Sequence, residues 1–263
     1  IMKQNYMLPL DKYIAQAKYM EWEQLNQAVM EIGKYKDEQL LLPLGYTFPI
    51  TLYRKSDVSH EPSRELNWED VLADETGVLA SAANDVQGAF GFTHNLFASH
   101  VFGQLADFDE EKLLFSEDEL KQKILELMEL NDRDYSHLPS HLRLNMGVMQ
   151  GNMKQRDIPG YPEIFNETDP LTMIPMYQEN GGITAMVDTY ACVNRNTKDP
   201  EGAFFLLDYL LSQEIQQYSD VYNYIINYIA LPTHNGLLSP ETPVLRWNWS
   251  EENYQEYCKV RDQ

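Results

Sequence analysis

Residues 194–218 read NRNTKDPEGAFFLLDYLLSQEIQQY. The first third is a marked helix start. Asp199 is a good N-cap, Pro200 suits the first helical position, and Glu201 sets negative charge on the positive end of the helix dipole. A residue before proline avoids helical angles, so the chain must turn at Asp199. The continuation is unusual for a surface helix: Ala203, Phe204, Phe205, Leu206 and Leu207 are consecutive, which leaves the first turns no water face. Just upstream, ITAMVDTYACVN (183–194) is rich in Thr, Val and Tyr and predicts a strand entered through Gly181 and Gly182. Strand, turn and sunken helix predict a helix wedged between a sheet and other helices in a packed α/β lobe.

Working outward, LDKYIAQAKYMEWEQLNQAVMEIG (10–33) carries Leu10, Ile14, Ala17, Leu25, Ala28, Val29 and Ile32 at roughly helical spacing, which predicts a long helix stopped at Gly33. EQLLLPLGYTFPITLYRK (38–55) predicts an extended segment broken by Pro43 and Pro49 rather than one regular strand. Asn67 is a candidate N-cap for a helix over NWEDVLADE (67–75). LFSEDELKQKILELMEL (114–130) has the strongest helix start. Ser116 and Glu119 form a capping box, Phe115 and Leu120 a hydrophobic staple, and Leu120, Ile124, Leu127 and Met128 an apolar stripe. The proline-rich region 131–175 predicts short strands and turns, with LTMIPMY (171–177) a buried strand. NYIALPTHNGLLSPETPV (227–244) predicts an extended return, and a short last helix is expected near Ser250. Strands alternating with helices predict the α/β class.

The 263 residues suffice for one large domain or two lobes, and 43% apolar content supports a real core. With 20 Lys+Arg against 41 Asp+Glu, the net charge is −21. That field repels nucleic acid and anionic membrane surfaces. Only two cysteines occur, Cys192 and Cys258. They make no disulfide framework, although a bridge between them stays open, and Cys192 in its apolar run is expected to be buried. No stretch is long and apolar enough to span a bilayer, and no secretion signal is legible. The chain opens at Ile1, so a chain trimmed at its front is expected.

Metal and catalytic motifs are weak. His137 and His141 are four apart, but Pro139 lies between them and no third ligand is near. Acidic groups such as Asp109–Glu111 and Glu117–Glu119 fall at helix entrances, where carboxylates favour the dipole and stay solvated. There is no P-loop, no G-x-S-x-G and no G-x-G-x-x-G. No cofactor and no enzymatic activity are expected. The alternative, an acidic secreted glycosidase with a carboxylate pair, stays open because no spacing identifies or excludes such a pair.

The 194–218 segment resembles the corresponding stretch of the bacterial extracellular solute-binding proteins, the receptors of ABC importers. LPLDKYI (8–14), LLLPLGYTFPITLYRKSDV (40–58), LNWEDVLAD (66–74) and ALPTHNGLL (230–238) are similar to other family stretches, in the same order. The likeness is greatest to the carbohydrate-binding, maltose-binding-protein-like branch. The resemblance implies a two-lobed periplasmic-binding-protein-like fold with crossing hinge strands. It also implies a chain truncated at both ends, with an incomplete first lobe. Residues 1–44 and 185–235 would belong to lobe one, and 45–184 and 236–263 to lobe two. It implies a monomeric extracytoplasmic receptor, a periplasmic or lipid-anchored surface protein. Its partners would be a small solute, a sugar or oligosaccharide, and a membrane permease. The solute would be captured by hinge closure.

Aromatic rings cover sugar faces, and polar side chains bind the hydroxyls. On that template Tyr46, Thr47 and Phe48 at the first crossing are the leading ligand-contact candidates, followed by Phe92, His94 and Asn95 in GAFGFTHNLF (88–97), and by Trp247. Each also has a plainer role open to it. Phe90, Phe92 and Phe97 suit core packing, Tyr46 and Phe48 suit packing at the crossing, and Trp247 and Trp249 suit packing beneath a loop.

Overall fold

The computed structural model describes residues 2, 5–54, 73, 105–107, 110–132, 134, 146–149, 171–175, 183, 185–217 and 231–237. Over 47–54, 146–149 and 171–175 only the backbone is described. In chain order, helix α1 spans Asp11–Ile14, a 3-10 turn Trp22–Gln24 and α2 Gln27–Glu31. Strands β1 (Lys34–Tyr35), β2 (Glu38–Gln39) and β3 (Leu42–Arg54) follow, then β4 (Ala106–Asp107) and β5 (Lys112–Leu113). Next come α3 (Glu117–Asp132), β6 (Met146–Met149), β7 (Leu171–Pro175) and β8 (Met186–Ala191). Helices α4 (Pro200–Leu210) and α5 (Gln213–Gln216), strand β9 (Leu231–Pro232) and a 3-10 turn, Asn235–Leu237, complete the order.

The chain forms two compact units. One comprises Ile1–Thr47, Met149–Met153 and Ala185–Trp247, the other Phe48–Val148, Lys154–Thr184 and Asn248–Gln263. The first is built on the first half of β3. Leu42, Pro43, Gly45 and Thr47 pair antiparallel with Ala191, Tyr190, Thr189 and Met186 of β8, while Gly45 and Tyr46 pair with Pro232 and Leu231 of β9. The core of this unit gathers Leu10, Met20, Leu25, Met30, Leu42 and Val193 around Phe204, Leu207 and Leu211. Tyr13 stacks on Phe204 with ring centroids 5.4 Å apart. In the second unit β3 continues against β7, from Ile50 opposite Pro175 to Arg54 opposite Leu171, with β6 and β7 as its flanking strands.

Four expectations are corrected. The first concerns the long helix over 10–33, which is three short pieces. α1 ends at Ile14, Glu21 is left-handed at φ 45°, and α2 starts afresh with the Asn26 side chain accepting the Val29 N–H. The helix cannot continue because the N–H groups of Lys18, Tyr19 and Met20 turn to the Asp208 carboxylate, at 2.9, 3.0 and 2.9 Å. Gly33 does follow α2. A side chain there would collide with the Leu41 carbonyl and the Gln39 amide, so only glycine fits.

The second is the proline break. β3 is a continuous strand of 13 residues. Register shifts between Pro43 and Gly45 and between Gly45 and Thr47 absorb Pro43. Pro49 lies between the last β8 pair, at Thr47, and the first β7 pair, at Ile50.

The third is α4, which is not sunk on all sides. Phe204, Leu207, Asp208 and Leu211 face the core at helical spacing, whereas Phe205 and Leu206 are 54% and 56% exposed. The run of five apolar residues therefore straddles both faces. The fourth is Cys192, which is exposed. It follows β8 beside buried Val193, so strand alternation turns its thiol outward.

Other expected elements are present. Asp199 accepts the Gly202 N–H at 2.8 Å, with Pro200 at the start of α4. Ser116 and Glu119 form their reciprocal box at α3. On that helix Leu120 and Ile124 are half-buried and Met128 is 52% exposed, which narrows the stripe. Strands β7 and β8 fall within the stretches that predicted them. The helices expected at 67–75, Ala73 apart, and near Ser250 lie outside the described residues, as do His137, His141 and Cys258.

Candidate functional site at the crossing strand

The first unit hands the chain on through β3, and Tyr46 is the last residue of that half whose side chain is described. Its ring is buried, 6% exposed. Its hydroxyl accepts a hydrogen bond from Asn26 Nδ2 at 3.2 Å. Asn26 is shared three ways. Its Oδ1 caps α2 through the Val29 N–H, its amide donates to Tyr46, and its main-chain N–H donates to the Thr233 carbonyl at 2.8 Å. One residue thus ties a helix start, the crossing strand and the chain just after the return strand, two of these through its side chain.

Behind β9 lies a second polar layer. Thr233, His234 and Gln216 are all buried. Gln216 Nε2 donates to Thr233 Oγ1 at 3.1 Å, and its Oε1 accepts the His234 main-chain N–H at 3.1 Å. His234 Nδ1 accepts the Gly236 N–H at 3.2 Å, while Nε2 sits 3.4 Å from Glu21 Oε2. That last contact falls short of an aligned hydrogen bond and becomes an ion pair only when the imidazole is protonated. Burial pushes the imidazole pKa below its usual 6.5, and Glu21 opposes that shift.

This arrangement positions backbone. Its hydroxyls, amides and imidazole are engaged in fixing β9 and α2 to β3. Among the described residues no group of three His, Cys, Asp or Glu side chains could hold a metal ion.

Of the residues singled out in the sequence, Tyr46 is placed in this layer. Thr47 and Phe48 follow it in β3, where their backbone is described and Thr47 pairs with Met186. Phe92, His94, Asn95 and Trp247 lie outside the described residues. Sequence reasoning missed Asn26, Gln216 and His234. Asn26 had a usable signal as a capping residue before a helical run, QAVME, but it was absorbed into a longer apparent periodicity. Gln216 had none, because its partners are 17 and 18 positions away, and for His234 only the Gly236 N–H is local whereas Glu21 is distant in sequence.

No family model matches the chain, and no curated protein matches it. Solved structures do. The sugar-binding protein MalE from Xanthomonas citri superposes over 100% of this chain and 69% of its own, with a TM-score of 0.64 at 12% identity. The chain has the solute-binding-protein fold. An extracellular solute-binding protein, family 1, from Alicyclobacillus acidocaldarius matches 99% of this chain and 68% of its own, with a TM-score of 0.55 at 14% identity. An ABC substrate-binding protein from Listeria monocytogenes, solved with cycloalternan, matches 99% and 69%, with a TM-score of 0.54 at 13% identity.

Proposed function

We propose that this chain is the extracytoplasmic solute-binding receptor of an ABC importer, taking a sugar, oligosaccharide or polyol and presenting it to a membrane permease. The observation that carries this reading is the likeness, over essentially the whole chain, to a sugar-binding protein and an ABC substrate-binding protein. The topology supports it: one strand, β3, belongs to two compact units, with the antiparallel return strand β9 tied to its first half. In this reading residues 1–44 and 185–235 form one lobe, and 45–184 and 236–263 the other. A solute that touches both lobes favours the closed form by its differential affinity. Thr47 and Phe48 meet the solute from the crossing, Tyr46 fixes their strand, and Phe92, His94, Asn95 and Trp247 supply the remaining contacts. The receptor works as a monomer and performs no covalent step. No helix among the described residues is long and apolar enough to cross a membrane.

The test is a thermal-shift screen with monosaccharides, oligosaccharides and polyols, each mixture then assayed for products. At one hundred times its Kd a ligand adds about 2.7 kcal/mol. For a chain of this size that raises Tm by roughly 5–10 °C. Phe48→Ala should reduce the shift without lowering the ligand-free Tm comparably. Turnover of a saccharide, or no shift with any member at millimolar concentration, overturns the proposal.

A further inference from the structure

We propose that His234 is a proton-operated latch: in its neutral form it locks return strand β9 onto crossing strand β3, and protonation in mildly acidic medium releases it. The proposal rests on hydrogen-bond directions. His234 is 2% exposed. Its Nδ1 accepts the Gly236 N–H, so the neutral ring carries its proton on Nε2, which faces Glu21 Oε2 at 3.4 Å. A second proton must enter at Nδ1, where the Gly236 N–H already points. Two donors would then face each other and the bond would break.

That bond is not peripheral. Gly236 lies within the 3-10 turn Asn235–Leu237, which is also held by Leu237 N–H to the His234 carbonyl at 3.0 Å. The same histidine bridges Leu25 through its backbone, and it stands only two positions beyond the end of β9. β9 is short, with only Leu231 and Pro232 pairing Tyr46 and Gly45, so the turn adds to a hold otherwise supplied by Asn26, Gln216 and the Leu25 bridge, and opening it weakens that hold.

The surroundings define the direction. Among the described residues, Glu21 is the charged group that faces the ring. Neighbouring α5 contributes the uncharged Gln213 and Gln216, and the segment before α2 contributes Leu25 and Asn26. Burial disfavours the imidazolium, and Glu21, 58% exposed, offsets this only in part. The folded state therefore binds the proton less readily than the unfolded chain. The stabilisation is complete above the unfolded value of about 6.5 and is lost progressively as pH falls below it, until the lower folded pKa is passed. Glu21 is held in place for this contact, because the three N–H groups just before it are fixed by Asp208.

The latch is independent of which solute is bound, so it is tested on the ligand-free chain. Hydrogen exchange, corrected for intrinsic rates, is compared between about pH 7.5 and about pH 5.5, while imidazole NMR follows His234 directly. Peptides covering 42–46 and 231–237 should lose protection at the lower pH, by at most about tenfold for a single histidine, and the α4 peptide should not. The ring should titrate below the ordinary histidine value, and Glu21→Gln should move it lower still. His234→Gln should abolish the pH response of both peptides. If that variant does not fold, the ring titration and Glu21→Gln decide. A ring that titrates at or above the ordinary value, a Glu21→Gln variant with an unmoved titration, or a His234→Gln protein that keeps the pH response overturns the latch.

Discussion

Asp208 offers the sharpest test of how the first unit is held together. It sits in the last turn of α4, 3% exposed, and its carboxylate receives three main-chain N–H groups from the segment that interrupts the predicted N-terminal helix. Oδ1 takes Tyr19 and Met20, and Oδ2 takes Lys18. Hydrogen bonds to a charged group contribute about 1.5–3 kcal/mol each, but three bonds to one carboxylate do not add fully. The Met20 bond is buried, whereas Lys18 and Tyr19 N–H can regain water in part. Asp208→Ala should therefore cost about 3–5 kcal/mol, a large share of a typical domain's stability. Asp208→Asn can keep its oxygen toward Tyr19 and Met20 but turns an NH2 toward the Lys18 N–H, so about 1.5–3 kcal/mol is expected. The assay is native-state hydrogen exchange on the peptide covering 15–25, combined with urea unfolding. Protection should fall in the order native, Asn, Ala. An Ala variant within about 0.5 kcal/mol of the native chain, or an Asn variant as damaged as Ala, would refute the idea that this carboxylate breaks the helix and pins the segment.

Three further outcomes follow from local geometry. Lys36 and Asp37, at φ 51° and 65°, form the tight connection between β1 and β2, a shape that favours Asn-Gly. Lys36→Asn with Asp37→Gly should raise the urea midpoint by about 0.5–1.5 kcal/mol equivalent, less a small loss of the Lys36–Tyr35 ring contact, and an unchanged or lower midpoint would count against the assigned turn. Asp199→Ala removes the cap from Gly202 and should cost about 1 kcal/mol, seen as faster exchange confined to the first turn of α4. At α3 the Ser116 hydroxyl, then the Ser116 N–H, hold Glu119 below the usual 4.5, so this carboxylate favours the helix start above that pH and ceases to do so as pH falls through its lowered value. Carboxyl NMR on Ser116→Ala should show Glu119 moving back up, and no movement would remove the capping box from the account.

What the sequence disclosed follows the range of the forces involved. The caps at Asp199 and Ser116 act over three residues, so residue types and spacing identified them. β8 was legible because Thr, Val and Tyr crowd a short stretch bounded by glycines. The broken N-terminal helix was not legible, because its cause is a carboxylate 188 to 190 positions away. The continuity of β3 was hidden for a related reason. Pro43 and Pro49 read as interruptions unless one knows that the strand changes register and partner around them. The depth of α4 was overestimated because consecutive apolar residues give no face. Only the helical phase separates Phe204 and Leu207 from exposed Phe205 and Leu206. At the candidate site, Tyr46 was singled out for its place at the crossing, while His234 and Gln216 gain their meaning from contacts with Glu21, Thr233 and Gly236.

Several polar ties of the first unit share a pattern that bears on how it folds. They join the N-terminal segment to chain that follows β8 or to its return: Asp208 to 18–20, Thr233 to Asn26, His234 to Glu21 and Leu25, and Val193 to Leu8. Apolar packing alone would tolerate several alignments of segments as short as α1 and α2, whose burial is non-directional. A buried carboxylate that needs three N–H groups, or an amide that needs both a hydroxyl and a main-chain N–H, accepts one alignment and penalises the others by leaving groups unpaired. The residues before β3 therefore cannot complete their structure until the residues after β8 arrive. A chain cut after about residue 184 should leave Leu10, Met20 and Leu42 without Phe204, Leu207 and Val193 to cover them, and should expose the first segment to proteolysis. The same dependence makes β3 responsive to the return strand: a disturbance at β9 reaches Tyr46 through Leu231 and through Asn26 together, at the point where the strand leaves the first unit.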